Sequence, residues 1–80
     1  MPSRPAIVSF TVEPFVEGKP GVYVTAAIDA ANRAGLSVEM DPFSNNGFGD
    51  VSQIASALER IVLDAFEAGA TRLSIQVTAT

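Results

Sequence analysis

The richest chemistry lies in one short segment, which places a hydroxyl and two amides between two aromatic rings: Phe43, Ser44, Asn45, Asn46 and Phe48. Hydroxyl and amide groups can donate and accept hydrogen bonds along the edge of a planar ligand, and an aromatic ring can stack on its face. Asn and Gly also favour turns for backbone reasons alone. The segment is therefore either part of a binding site or only a turn, and its composition leaves both interpretations open.

Charged and phenolic side chains outside this segment supply a second set of candidates. Glu13, Glu39 and Asp41 could attract a cation, and Glu39 is the best placed because it lies in the middle of a predicted strand. Asp41 fits better as a solvated charge at the end of that strand. Tyr23 either lines the rim of the core, which we favour, or donates a hydrogen bond to a ligand or second subunit. We expect Arg72 to pair with an acid across a strand or a subunit.

The composition excludes several classes of chemistry. Histidine and cysteine are absent, so imidazole and thiolate metal sites and catalysis by these residues are excluded. Nine acidic residues against five basic ones give a net charge of −4, which disfavours a nucleic-acid partner. No apolar run approaches the roughly 18 residues of a membrane span, and no secretory signal is visible. These exclusions leave the chain with little catalytic equipment, and we expect a cytoplasmic protein without a metal or cofactor.

Period-two hydrophobic patterns predict strands, each with apolar side chains on one face. Three strands are clear from this alternation: Ala6 to Glu13, Leu36 to Asp41 and Arg72 to Thr78. A fourth, poorer strand must fit between Phe43 and Gly49. Its turn lies either at residues 41–43 or at Asn46-Gly47, which is a typical hairpin-turn pair. We favour the turn at residues 41–43, because the fold then gains a usable strand.

Helical spacing predicts two helices with well-marked ends. The first covers Val22 to Ala34 and is followed by Gly35, a residue that readily takes the left-handed conformation after a helix. The second begins after Asp50, which together with Gln53 forms a variant of the capping box, and it ends before Gly69. The element order is therefore β-α-β-β-α-β.

This order predicts an α+β fold, the ferredoxin-like split βαββαβ arrangement, with a four-stranded antiparallel sheet and two helices on one face. Residues 1–5 are expected to form a flexible tail, and residues 6–80 a single domain. The strand residues expected to face the helices are Val8, Phe10, Val12, Leu36, Val38, Met40, Leu73, Ile75 and Val77. The expected apolar stripe of the second helix is Ile54, Leu58, Ile61, Val62, Ala65 and Phe66.

The opposite face of the sheet is predicted to be polar and rich in hydroxyls and amides. Its residues are Ser9, Thr11, Glu13, Ser37, Glu39, Asp41, Arg72, Ser74, Gln76 and Thr78. Short neutral polar groups can be covered by a second subunit or can orient a small ligand. An ordinary solvated face is the alternative. The small size of the domain also favours an oligomer.

A set of short motifs spans most of the chain in a fixed order. The residues that carry them are Pro14; Tyr23, Val24, Ala27 and Ile28; Ala34, Gly35 and Leu36; Glu39 and Pro42; Gly49 and Asp50; Phe66, Glu67, Gly69, Ala70 and Arg72. In order and spacing, over about residues 6–79, the sequence resembles the thiamine-binding, YkoF-like family of small ferredoxin-like proteins.

The resemblance implies a homodimer or a dimer of dimers, and binding of thiamine or its hydroxymethylpyrimidine part without catalysis, as a soluble carrier, buffer or sensor. Hydroxyl, amide and carboxylate groups can match the edge of an aminopyrimidine. The ligand-binding residues expected on this basis are Ser9, Thr11, Glu39, Phe43, Ser44, Asn45 and Asn46. Phe48 occupies a position that is usually acidic in the family, which leaves the identity of the ligand open.

Two functions from other classes compete with this hypothesis. One is a ferredoxin-like oligomerisation or regulatory module, whose polar sheet face is only a subunit interface. The other is a small α+β enzyme of the isomerase or monooxygenase kind, which is the least favoured because the chain has no histidine.

Overall fold

The computed structural model describes residues 4–14, 21–41 and 44–80 and has the predicted order of elements. The elements are β1 Pro5–Glu13, α1 Val22–Arg33, β2 Ser37–Met40, β3 Asn45–Asp50, α2 Val51–Glu67 and β4 Arg72–Ala79. The four strands form one antiparallel sheet in the order β2-β3-β1-β4. This arrangement confirms the predicted α+β ferredoxin-like fold. Within the described residues, neither helix is long and apolar enough to cross a membrane.

The helix ends follow the chemistry of their capping residues. The Asp50 side chain accepts a hydrogen bond from the Gln53 backbone N–H at 2.8 Å, and the Gln53 side chain accepts one from the Asp50 N–H at 3.0 Å. This reciprocal capping box confirms the predicted start of α2. Gly35 and Gly69 follow the two helices at φ angles of 92° and 110°, in the left-handed region that favours glycine. Helix α1 ends at Arg33, one residue earlier than predicted.

The β2–β3 hairpin turns before Asn46-Gly47, in agreement with the favoured of the two predicted turn positions. Asn46 and Gly47 lie inside β3 and pair with Ser9 and Val8 of β1, so the turn falls before them, as predicted. The hairpin closes where the Asp41 N–H donates to the Ser44 carbonyl at 2.9 Å. Gly47 serves close packing here rather than a turn. A Cβ at Gly47 would lie 3.0 Å from the Val8 side chain.

The core lies between the two helices and one face of the sheet. Its largest fully buried side chains are Phe10, Ile54, Ile61 and Val8. Helix α1 contributes small residues, since Ala27, Ala30 and Ala31 are its buried positions. Small side chains allow α1 and α2 to approach each other closely over the sheet.

Four residues predicted for the core are substantially exposed, which corrects the predicted boundary of the core. Met40 and Val77 lie on the helix-facing side but are 61% and 44% exposed, because they belong to the two edge strands. Val62 and Phe66 are 36% and 45% exposed. The buried face of α2 is instead centred on Ile54, Ala57, Ile61 and Ala65, so the stripe is narrower than predicted.

Arg4 and Pro5 are part of the fold rather than of a loose tail. Strand β1 begins at Pro5, one residue before the predicted start. The Arg4 carbonyl accepts a hydrogen bond from the Val51 N–H at 2.9 Å, and the Arg4 guanidinium donates to the Thr80 carbonyl at 3.3 Å. The remainder of the predicted tail, residues 1–3, lies outside the described residues.

Candidate functional site

The face of the sheet that the helices leave uncovered, here called the open face, carries its polar groups in two neighbouring rows. One row places Asn46, Ser9 and Gln76 side by side on β3, β1 and β4. In the next row Thr11 pairs with Ser74. Ser44 precedes β3 and continues its register beside Thr11. We call these six residues the polar patch; all of them are neutral donors and acceptors: Ser9, Thr11, Ser44, Asn46, Ser74 and Gln76.

A hydrogen-bonded chain fixes the orientation of the polar groups on the β3 side. The Ser9 hydroxyl donates to the Asn46 Oδ1 at 2.7 Å, and the Asn46 Nδ2 donates to the Asp41 carboxylate at 3.0 Å. The carboxylate therefore determines which way the Asn46 amide points. Because the Ser9 proton is committed to Asn46, the remaining lone pair of the Ser9 oxygen can accept a hydrogen bond from a ligand.

Asp41 organises the end of the hairpin as well. Its carboxylate accepts the Ser44 backbone N–H at 2.8 Å and the Ser44 hydroxyl at 3.2–3.3 Å. A side-chain acceptor that binds the backbone three residues later is typical of tight turns. The prediction that Asp41 is mainly a strand-end charge is thus refined, since it holds two polar-patch residues, Ser44 and Asn46, in place.

The polar patch borders a shallow, open depression of about 220 Å³. The residues around it are Ser9, Phe10, Thr11, Ser44, Ser74, Ile75 and Gln76. Pockets for drug-sized ligands usually measure roughly 300–1,000 Å³. The depression on one protomer therefore suits a single small ring better than a long ligand.

Charged and apolar groups frame the polar patch on three sides. On the β2 side, Glu39 is exposed and pairs in register with Asn46. Beyond Thr11, the Arg72 guanidinium lies 3.4 Å from the Glu13 carboxylate, which confirms that Arg72 pairs with an acid across a strand. Both side chains are well exposed, so this ion pair adds little stability. At the opposite end, Phe48 is 37% exposed and gives an aromatic surface beside the polar rows.

The structure brings together four of the seven predicted ligand-binding residues: Ser9, Thr11, Ser44 and Asn46. Glu39 lies at the rim of the same face. Asn45 lies on the other side of the sheet, 7% exposed, and its Nδ2 donates to the Phe10 carbonyl at 3.3 Å. Its amide therefore satisfies a core backbone group and is turned away from the polar patch. Phe43 lies outside the described residues.

Ser74 and Gln76 belong to the polar patch but were not among the predicted ligand-binding residues. Alternation along β4 already places them on the polar face. The missing information was the strand order, because only the pairing of β4 with β1 brings them beside Ser9 and Thr11.

Tyr23 lies at the rim of the core, which confirms the favoured prediction for this residue. Its side chain packs against the core cluster, and its hydroxyl donates a hydrogen bond to the Pro14 carbonyl.

The chemistry of this arrangement is suited to binding. The Ser9 hydroxyl donates to an amide oxygen, which is too weak a base to take its proton. Across residues 4–14, 21–41 and 44–80, no group of three acidic, histidine or cysteine side chains gathers where it could hold a metal ion. What the polar patch offers is a fixed pattern of hydrogen-bond donors and acceptors beside an aromatic ring.

Several solved structures share this fold. A domain of unknown function, DUF77, from Bacillus cereus aligns with a TM-score of 0.68 at 20% identity, over 98% of this chain and 76% of that chain. A hypothetical protein from Methanocaldococcus jannaschii aligns with a TM-score of 0.69 at 19% identity, over 96% and 79% of the two chains. No protein-family model matches the chain, and no curated protein matches its sequence.

A third structure carries a functional description. It is a Thermotoga maritima protein provisionally assigned to thiamine biosynthesis or salvage, and it aligns with a TM-score of 0.67 at 24% identity, over 94% and 81% of the two chains. All three likenesses lie below 25% identity. They show that this chain shares its fold with these proteins.

Proposed function

We propose that this protein binds a small aminopyrimidine, of the kind found in thiamine, on the open face of its sheet. It would hold the ligand without transforming it and act as a cytoplasmic carrier or sensor. The polar patch is the observation that carries the proposal. Six neutral hydrogen-bonding side chains share the uncovered face, where a solvated surface usually carries lysine and glutamate.

The donors and acceptors of the polar patch complement an aminopyrimidine edge. Such an edge presents ring nitrogens that accept hydrogen bonds and an exocyclic amine that donates them. The Ser9 oxygen and the Gln76 amide oxygen can accept from the amine, while the hydroxyls of Thr11 and Ser74 can donate to a ring nitrogen. The two rows lie two residues apart along each strand, or about 7 Å, and together they offer both halves of the required pattern.

The charge around the polar patch favours a neutral or positively charged ligand. Asp41 and Glu39 lie at its β2 side, and the chain as a whole carries a net charge of −4. A cationic ring attached to the pyrimidine would be attracted to this acidic side, whereas a phosphate would be repelled from it. The likeness of fold to a protein provisionally assigned to thiamine biosynthesis or salvage supports the same class of ligand.

Calorimetric titration of the full chain with hydroxymethylpyrimidine and with thiamine tests this proposal. Thr11→Val removes one hydroxyl from the polar patch at nearly constant volume. We expect affinity to fall about threefold to tenfold, which corresponds to the loss of one hydrogen bond.

Thr78→Val is the matched control. Thr78 lies on the same open face, but it pairs with Ile7, outside the polar patch. Its substitution should leave the affinity unchanged. The proposal fails if neither compound produces binding heat, or if the two threonine variants weaken binding equally.

A further inference from the structure

We propose that Asp41 is a positioning residue that makes the polar patch select an exocyclic amine over a carbonyl at the same position of a ligand ring. This role rests on the proposed function and deepens it, because it names the group by which the ligand is recognised. The Asp41 carboxylate acts at a distance, by fixing which polar-patch groups accept hydrogen bonds.

An ionised carboxylate accepts hydrogen bonds and donates none, so it imposes a direction on every group that contacts it. The two oxygens of Asp41 contact different parts of the hairpin. Its Oδ1 accepts the Ser44 backbone N–H at 2.8 Å, and its Oδ2 accepts the Asn46 Nδ2 at 3.0 Å. The β2 side of the polar patch therefore has a group of fixed hydrogen-bonding direction.

This direction passes from Asp41 through Asn46 to Ser9, three residues that we call the relay. A side-chain amide has one donating end and one accepting end. Because the Asn46 Nδ2 donates to Asp41, its Oδ1 lies at the Ser9 end and accepts the Ser9 hydroxyl at 2.7 Å. The Ser9 proton is thus directed away from a ligand, and the Ser9 oxygen presents only lone pairs to it.

Asp41 directs a second hydroxyl without an intermediate residue. The Ser44 Oγ lies 3.3 Å and 3.2 Å from the two carboxylate oxygens and donates to them. Ser9 and Ser44 both line the shallow depression of the open face. One carboxylate thus turns two hydroxyls at the border of the depression into acceptors.

Two directed acceptors discriminate between ligands that differ in one group. An exocyclic amine donates two hydrogen bonds, whereas a carbonyl oxygen only accepts and would face two other oxygens. The hydroxyls of Thr11 and Ser74 can rotate to donate or accept. They can match the neighbouring ring nitrogen whether or not it carries a hydrogen, so the discrimination falls on the groups that Asp41 directs.

Asp41→Asn tests this direction, because it replaces one acceptor by a donor at nearly constant shape. Asparagine also favours this kind of turn, since its side-chain oxygen can accept the Ser44 N–H. The new side-chain nitrogen then faces Asn46, whose amide must turn over to accept from it. The Asn46 Nδ2 would donate to the Ser9 oxygen, and the Ser9 proton would point toward the ligand and favour a carbonyl.

Calorimetric titration of the full chain measures the preference with two probes: hydroxymethylpyrimidine, and its oxo analogue in which a carbonyl replaces the amine. The wild-type chain should bind the amine about tenfold more tightly, which corresponds to one polar group left unpaired. Asp41→Asn should abolish or reverse this preference.

Glu39→Gln is the matched control. It removes the same charge on the same side of the polar patch, but Glu39 lies outside the relay. Because both probes are neutral, the lost charge should affect their binding equally and leave the tenfold preference in place.

NMR of the unliganded chain tests the relay separately. In the wild type, the Asn46 side-chain amide protons should give nuclear Overhauser contacts to Asp41, and in Asp41→Asn they should give contacts to Ser9 instead. The same contacts in both chains would overturn the relay.

Three binding results would also overturn the role of Asp41: equal affinity of the wild type for the two probes, a preference that survives Asp41→Asn, or an equal change of preference in Glu39→Gln. Absence of binding by both probes would refute the proposed function and this role with it. Binding of both probes without a preference would refute only this role.

Discussion

The same strands present two different surfaces, one on each side of the sheet. In β1, Val8, Phe10 and Val12 are buried against the helices, while the alternating residues Ser9 and Thr11 face the opposite way and stay half-exposed. The helix-facing side is alkyl and closely packed. The polar patch on the open face consists of neutral side chains and is already organised by hydrogen bonds between side chains.

This difference separates stability from the candidate binding function along a single strand. Burial of alkyl groups provides most of the free energy of folding, whereas exposed hydroxyls provide little. Substitutions on the helix-facing side should therefore act on stability, and those on the open face should act on ligand affinity.

Removing the central aromatic ring of the core should have the largest effect. Phe10 is 1% exposed, so Phe10→Ala leaves a cavity and should lower the free energy of unfolding by about 3–5 kcal/mol. A domain of roughly 70–80 residues seldom has more than about that in reserve. Circular dichroism during denaturant titration should show a largely unfolded variant. A loss below about 1 kcal/mol would contradict the packing described for this side.

Adding bulk on the helix-facing side should have an intermediate effect. Gly47→Val forces a side chain into space occupied by Val8 and Leu36 and should cost about 1–3 kcal/mol of stability. Ser37→Val, which adds the same side chain at an exposed position of the open face, should cost less than about 0.5 kcal/mol. Denaturant midpoints for the two variants measure the difference, and equal midpoints would remove the distinction between the two sides.

Removing a hydroxyl from the open face should have the smallest effect on stability. Ser74 is exposed, so Ser74→Ala should change the free energy of unfolding by less than about 0.5 kcal/mol. Its affinity for hydroxymethylpyrimidine should still fall about threefold to tenfold, because one ligand hydrogen bond is lost. Calorimetric titration checks the affinity. Unchanged affinity would remove Ser74 from the proposed site.

Local patterns in the sequence predict the elements and the two faces because strand alternation and helix capping depend on neighbouring residues. Asp50 and Gln53 form the expected capping box, and Ser9 and Thr11 lie on the expected face. The exposure of Phe66 could not be predicted this way. Its helical spacing agrees with the core stripe, but the helix turns its side chain outward.

The position of Asn45 shows the corresponding limit for the candidate site. Asn45 and Asn46 are adjacent and chemically identical, so composition assigns both of them to a ligand. The register of β3 on β1 sends Asn46 to the open face and buries Asn45 behind the sheet. That register depends on where the hairpin turns, which the sequence leaves open between two positions.

These two asparagines also provide the most direct test of the central claim. A titration of the isotope-labelled chain with hydroxymethylpyrimidine, followed by NMR, reports each side-chain amide separately. The account predicts that the amide signals of Asn46 and Gln76 on the open face shift, while that of Asn45 behind the sheet stays in place. Shifts of Asn45 alone, or of none of the three, would contradict it.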